Sequence, residues 1–171
     1  MRVRTTLRSL FIFFISIAAM VCIILPFLTT TLGGVEKSTP FYDLLKFEKV
    51  IYPVPGEAND LLNTLREVAS YLTIAVLAAG AFAFIMSLVR IIFYKNKFLG
   101  FLCGISNLLL MLSSLGLGVL SVVHMFIYQS ALKELGMLID GVAISSLGSW
   151  IYSAIGGLVP IVIVTTNFIP K

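Results

Sequence analysis

The chain has little charge for its length. Only 12% of its 171 residues are charged, whereas 59% are hydrophobic, and the mean hydropathy is +1.06. This composition lies outside the range of soluble globular domains, because too few polar side chains remain to cover a surface exposed to water. We therefore expect a membrane protein.

Cysteine and histidine are also scarce. Cys22 and Cys103 lie singly inside apolar runs, so neither a redox CxxC pair nor a metal-ligand spacing is present. His124 is the sole histidine and has no cysteine, aspartate or second histidine close by in the sequence. We expect it to hydrogen-bond a neighbouring helix or to lie at the membrane interface. No metal and no cofactor are expected.

Catalytic patterns are missing as well. The sequence has no nucleophile beside a base, no paired carboxylates, no HExxH and no phosphate-binding loop, so we expect no enzymatic activity. The formal net charge is +4, but the basic residues fall in short intervals between apolar runs. A nucleic-acid surface would need them clustered, so no nucleic-acid partner is expected.

Four apolar runs dominate the chain. A helix needs about 20 apolar residues to cross the hydrocarbon core of a bilayer, about 30 Å thick. The runs at about 10–29, 71–94, 98–128 and 150–168 meet this requirement. The pattern predicts an all-α fold, a four-helix transmembrane bundle forming a single membrane domain over residues 1–171. The first run is too long for the apolar core of a signal peptide and lacks a small-x-small cleavage site, so we expect an uncleaved span.

The distribution of charge predicts how the bundle is oriented. Basic residues without acidic neighbours precede the first run, flank the KNK hairpin between the second and third runs, and end the chain. All 8 acidic residues lie in the two longer intervals, about 30–70 and 129–149. Because basic residues stay on the cytoplasmic side, we expect both termini inside, a longer first and a shorter second external loop, and location in the plasma membrane.

The first external loop offers a recognition surface. Its segment FYDLLKFEKVIY has the apolar and charged split of a short amphipathic helix lying at the headgroups. The residues that we expect to recognise a partner from this loop are Phe41, Tyr42, Leu45 and Phe47.

The sequence PVPG at residues 53–56 then breaks the chain, since prolines and glycine interrupt a helix. The segment after it predicts a new helix capped by Asn59 or Asp60, which runs directly into the second span and projects two to three turns beyond the bilayer.

Small residues recur at a spacing of four or close to it. They form ridges that let helix backbones approach where lipid removes the hydrophobic drive. These ridges serve either packing within one bundle or contact with another protein. The candidate interface residues are Ala75, Ala79 and Ala83 in the second span, Gly100 and Gly104 in the third, and Ser149, Ser153 and Gly157 in the fourth.

The function predicted from these patterns is association. No Asp, Glu, Lys or Arg lies in the central part of a span, which argues against a secondary transporter with a charged core. We expect a non-enzymatic accessory, scaffold or interaction subunit that packs laterally and presents its outer loops. Its partners would be the lipid bilayer and another membrane protein or a second copy of itself. The alternative is a small oligomeric channel or passive transporter.

The plan of four spans, internal termini, a longer first loop, TLGGVEKSTPFYDLL within it, and a very short hairpin resembles the claudin and PMP22-type tetraspan proteins. The resemblance extends over the whole chain as topology and implies a four-helix membrane fold. The W-GLW-C-C signature of claudins is absent, because the first loop has neither tryptophan nor cysteine. No functional residue is therefore carried over from that family.

Overall fold

The computed structural model describes residues 2–32, 35–136, 143–145, 147–166 and 168. Four long helices account for most of this part of the chain, and they are long and apolar enough to cross a membrane. The predicted four-helix bundle is thus confirmed. The helices are α1 (Arg2–Val21), α2 (Gly56–Ile92), α3 (Lys97–Glu134) and α4 (Leu147–Thr165).

The central helices are longer than a bilayer requires. Helix α2 has 37 residues and α3 has 38. Residues 68–89 of α2 carry no charge and, at the helical rise, extend about 33 Å, close to the thickness of the hydrocarbon core. Arg66 and Glu67 therefore lie at one boundary of this stretch and Arg90 at the other. The predicted helix after PVPG is present, since α2 begins at Gly56. That its first turns project beyond the bilayer stays a prediction.

A tight turn joins α2 to α3, as the KNK hairpin predicts. Helix α2 ends at Ile92 and α3 begins at Lys97. Asn96 caps α3, because its side-chain oxygen accepts hydrogen bonds from the amides of Phe98 at 2.9 Å and Leu99 at 3.3 Å. We call this end of the bundle the hairpin end.

The opposite end carries a small sheet that the sequence analysis did not predict. It has the order β2-β1-β3, with antiparallel pairing throughout. The strands are β1 (Pro26–Leu32), β2 (Val35–Pro40) and β3 (Ala143–Ser145). Two short 3-10 segments, Cys22–Ile24 and Phe41–Lys46, precede β1 and follow β2. We call this end the sheet end.

The sheet changes the bounds of the first span. Helix α1 ends at Val21, so residues 26–29, which the apolar run places in the span, lie in β1. Pro26 ends the apolar helix because it has no amide hydrogen to donate. The threonines that follow are β-branched and pair readily across a sheet. Strand β3 joins the two loops, and residues 137–142 of the second loop lie outside the described part.

Close backbone contacts hold the helices together. At Gly80 of α2, an added Cβ would lie 2.9 Å from Met20 Cγ and 3.6 Å from the Ser16 carbonyl of α1. At Gly118 of α3, it would lie 2.7 Å from the Ser153 amide nitrogen and 2.9 Å from the Ser149 carbonyl of α4. Small residues thus permit both crossings, as expected for helices that associate in lipid.

Several buried serine hydroxyls are satisfied within their own helices. Ser16, Ser87 and Ser121 donate to the carbonyls four residues earlier, at 2.7, 2.7 and 2.6 Å. Such bonds leave no free donor in a region without water. A polar link between helices is made where the Tyr152 hydroxyl of α4 donates to the Ala19 carbonyl of α1 at 3.1 Å.

The crossing at Gly118 yields a stability prediction. Gly118→Ala should destabilise the bundle by about 1–3 kcal/mol, because the new methyl group overlaps backbone atoms of α4. Thermal unfolding in mild detergent measures this as a lower Tm. The matched control is Gly104→Ala in the same helix, where no heavy atom lies within 4 Å of the added Cβ. An equal Tm for the two variants would contradict the close α3–α4 contact.

Candidate functional sites

An extended segment at the sheet end is fastened along α2. This segment, residues 47–54, connects the 3-10 turn to the start of α2, and we call it the strap. Asn63 of α2 accepts from the Val50 amide and donates to the Val50 carbonyl, both at 2.9 Å. Asn59 accepts from the Tyr52 amide at 3.0 Å. Two amide side chains one turn apart thus replace the missing sheet partners of the strap.

These contacts correct the predicted cap of α2. The residue that precedes the helix is Pro55, and no side chain caps it. Asn59 lies inside the first turns and binds the strap, and Asp60 accepts from Thr64 through its backbone carbonyl at 2.9 Å. The sequence did contain a usable pattern, because Asn59, Asn63, Arg66 and Ser70 fall on one helical face.

Arg66 lies beneath the strap and is only 7% exposed. Its Nε donates to the Glu48 carbonyl of the strap at 3.2 Å, and the guanidinium lies against the Tyr52 hydroxyl. No carboxylate pairs with it among the described residues. Burial raises the pKa of the Tyr52 phenol, an effect that the Arg66 charge opposes. A buried guanidinium without an anionic partner is costly, so this residue marks a site rather than a solvated surface.

Arg66 faces a cavity between the strap and α2. Its volume is about 620 Å³, within the range of small-molecule sites. The strap contributes residues 47–51 to its wall. Helix α2 contributes Asn59, Asp60, Asn63, Thr64, Arg66, Glu67 and Ser70. Glu48, Lys49, Asp60 and Glu67 are exposed, so the carboxylates form the rim while the guanidinium lies inside.

His124 completes the polar cluster behind this cavity. It is fully buried, and its Nε2 lies 3.1 Å from the Tyr52 hydroxyl. It therefore makes a hydrogen bond as expected, but with the strap rather than with a neighbouring helix. Phe27 of β1 and Tyr128 of α3 close the cluster, with ring centroids 5.0 Å from His124 and 5.2 Å from Tyr52. No group of three metal-ligating side chains lies in the part of the chain described.

The outer-loop residues predicted for recognition divide into two kinds. Phe41 is fully buried and packs on Phe27 and Tyr152, with ring centroids 5.6 and 4.7 Å away. It belongs to the core, which corrects its assignment to a recognition surface. The exposed ones are Tyr42, Leu45 and Phe47, with exposures of 49%, 37% and 44%. Their role in recognition stays a prediction.

Phe47 has an unusual backbone at the start of the strap. Its φ is 53°, in the left-handed region that a bulky residue rarely adopts. Its amide donates to the Leu44 carbonyl at 3.1 Å, and its ring meets Tyr71 of α2 with centroids 5.2 Å apart. Tyr71 is exposed, like Trp150 of α4. Exposed aromatic side chains at this level are typical of a membrane interface.

A second site is an apolar groove between α2 and α3, in the uncharged part of the bundle. Its volume is about 540 Å³. The groove is lined by Leu72, Ala75, Ala78, Ala79, Phe82, Leu109, Leu112 and Ser113. Two predicted interface residues, Ala75 and Ala79, are therefore brought together here. Ala83 is fully buried and packs inside the bundle.

The remaining small residues are not brought to one surface. Ser149 is buried and, with Ser153, lies against Gly118 in the α3–α4 crossing. Gly100 lies under the Arg90 guanidinium at the hairpin end. Gly104 and Gly157 have no heavy atom within 4 Å of an added Cβ, so their faces are open.

These features define an integral membrane protein with four candidate spans, a capped polar end and an open apolar groove. Comparison with protein families places residues 7–164 in one family, described as a domain of unknown function, DUF4293. The chain belongs to this family. No curated protein and no solved structure matches the chain. The resemblance to claudin and PMP22-type proteins stays a prediction from topology.

The fastening of the strap can be tested at one residue. Asn63→Ala removes both hydrogen bonds to Val50, so the Val50 amide should exchange hydrogen about tenfold faster or more, since each lost bond costs about 1 kcal/mol. Hydrogen exchange of the detergent-solubilised protein measures this. Thr64→Ala is the control, because Thr64 is exposed and bonds only within α2. Unchanged exchange at Val50 in Asn63→Ala would contradict the fastening.

Proposed function

We propose that this protein is a non-enzymatic, multi-pass accessory or scaffold subunit that associates laterally with another membrane protein. The observation that carries the proposal is the apolar groove between α2 and α3. Three alanines, Ala75, Ala78 and Ala79, line it on the α2 side. The occupant that we propose is a transmembrane helix of the partner.

The composition of the groove favours a helix as its occupant. Alanine side chains let the backbone of a second helix approach closely, which increases van der Waals contact where lipid provides no hydrophobic drive. Ser113, the polar residue in the wall, already donates to the Leu109 carbonyl of its own helix at 2.8 Å. The groove therefore has no polar group that requires a hydrogen bond from the partner helix, and we expect the occupant to be selected by its shape.

The bundle interior supports association rather than conduction. Val76, Leu110, Leu117 and Val159 pack there and are at most 1% exposed, and buried serines such as Ser121 satisfy their hydroxyls within their own helices. Side chains in such close contact favour a bundle without a water path through the middle of one chain. In the alternative, a small oligomeric channel or passive transporter, a water path would have to run between copies.

The orientation is part of the same proposal. The basic residues Arg4, Arg8, Arg90, Lys95 and Lys97 belong to the hairpin end. The acidic residues of the described segments all lie toward the sheet end. By the positive-inside rule, the hairpin end and both termini face the cytoplasm, and the sheet end faces outside. The membrane that we propose is the plasma membrane. Tyr42, Leu45 and Phe47 then present a second contact surface to the partner outside the bilayer.

The groove can be tested by filling it. Ala78→Leu places a larger side chain in the groove, so it should weaken association about tenfold or more by excluding the partner helix. The measurement is the amount of a second membrane protein that co-purifies in mild detergent, with native mass spectrometry giving the composition. Ala81→Leu is the matched control, because Ala81 is exposed on the same helix but does not line the groove.

Three outcomes would contradict the proposal. They are purification as a lone monomer, equal loss of the partner in both variants, and solute flux in liposomes from a homo-oligomer. Flux would favour the channel alternative. Retention of the partner by Ala81→Leu and its loss from Ala78→Leu would support lateral association through the groove.

A further inference from the structure

The sheet-end cavity combines three properties that select a ligand. It contains a buried cation, its rim carries carboxylates, and it lies at one boundary of the uncharged part of α2. This site is separate from the groove between α2 and α3, and it shares Phe47 with the outer contact surface proposed above.

The buried cation calls for an oxyanion. Arg66 uses Nε on the Glu48 carbonyl, and its remaining donors have no carboxylate among the described residues. A guanidinium offers a planar fork of donors that matches the oxygens of a phosphate or carboxylate. Asn63 and Ser70 line the same wall of the cavity. An oxyanion entering it would compensate the buried charge, which no residue in the described part of the chain does.

The rim calls for a cation. Glu48, Asp60 and Glu67 are exposed at the edge of the cavity, and Lys49 is the basic residue there. Three carboxylates beside one lysine give the rim a net negative charge. A simple anion would be repelled by this rim, whereas a ligand with an anionic centre and an attached ammonium group satisfies both parts of the site.

The depth of the site points to a lipid as the source. Arg66 and Glu67 immediately precede the uncharged residues 68–89 of α2. The neighbouring rings of Phe47 and Tyr71 are exposed and in contact, as is typical of aromatic side chains at headgroup level. A cavity at this level meets the phosphate and amine groups of the surrounding leaflet.

We propose that the cavity binds the headgroup of a zwitterionic phospholipid with a primary ammonium group, as in phosphatidylethanolamine. The phosphate oxygens accept hydrogen bonds from the Arg66 guanidinium. The ammonium group donates to the rim carboxylates, Glu48 and Glu67. The site thereby anchors one lipid of the sheet-end leaflet beneath the strap.

The test is native mass spectrometry of the full chain released from micelles that contain phosphatidylethanolamine, phosphatidylcholine or phosphatidylglycerol. The expected result is retention of phosphatidylethanolamine about tenfold or more above the other two, because the trimethylated amine cannot donate and glycerol carries no positive charge. Free phosphoethanolamine, which has no acyl chains, should compete only weakly. This comparison needs no variant, so it holds even if a substitution impairs folding.

Variants separate the two halves of the site. Arg66→Gln should abolish retention of the lipid, whereas Glu67→Gln should lower the preference for phosphatidylethanolamine over phosphatidylcholine and leave phosphate binding in place. Glu67 is exposed, so this substitution does not disturb the core. Arg90→Gln at the hairpin end is the control and should retain the lipid as the wild type does.

Equal retention of the three lipids by the wild type, or full retention by Arg66→Gln, would overturn the proposal. Binding of free phosphoethanolamine as tight as that of the lipid would also overturn it, because the ligand would then be a soluble zwitterion. None of these three results depends on co-purification with a protein partner. Failure of the lipid proposal and failure of the lateral association are therefore distinguishable.

Discussion

The uncharged stretch of α2 between Glu67 and Arg90 determines where the other elements lie relative to the hydrocarbon core of the bilayer. A charge inside hydrocarbon is costly, so these two residues mark the boundaries within which α2 can cross. The hairpin at residues 93–96 follows directly beyond one boundary, and the strap lies beside the helix at the other. Within these limits, the backbone and buried serines such as Ser16, Ser87 and Ser121 satisfy their hydrogen bonds inside the helices, as a bilayer demands.

A cluster of buried polar groups lies at the sheet end. Arg66, Tyr52 and His124 come from α2, the strap and α3, and they meet beneath aromatic side chains. Asn59 and Asn63 hold the strap over them. The cost of burying a guanidinium is partly offset by the Glu48 carbonyl and the Tyr52 hydroxyl, both uncharged, and this incomplete compensation gives the cavity its capacity for an anionic group. At the hairpin end, the bundle closes with a short turn in which Asn96 caps α3.

The sequence predicts the four helices well, but it predicts the sheet and the strap at the sheet end poorly. Long uncharged apolar runs admit one structure in a membrane, so the four helices and the tight hairpin follow from length and composition. Strand β1 was missed because PFLTTTL continues an apolar run, and one of its two partners, β3, is distant in sequence, with Ile144 opposite Thr30. Asn59 was predicted as a helix cap because it lies near the start of α2. Its side chain instead binds the strap, whose position beside α2 cannot be read from the sequence.

The faces of the helices were equally hard to predict. Ala75, Ala79 and Ala83 share a spacing of four, yet the rotation of α2 leaves Ala75 half-buried in an open groove, Ala79 buried at the base of that groove and Ala83 in the core. Phe41 and Tyr42 are adjacent in the sequence and end on opposite sides of the same turn, one buried and one exposed. Amphipathic spacing identifies a face but not its partner, because that choice depends on contacts between distant segments.

Water accessibility along α2 tests the central claim most directly. Single cysteines at successive positions from 60 to 94, in a chain with Cys22 and Cys103 replaced by alanine, would be reacted with a membrane-impermeant maleimide in sealed vesicles. The account predicts labelling up to residue 67 from one side, labelling from residue 90 onward from the other, and none between them. Labelling of one helical face through residues 68–89 would reveal a water-filled path and contradict a packed, laterally associating bundle.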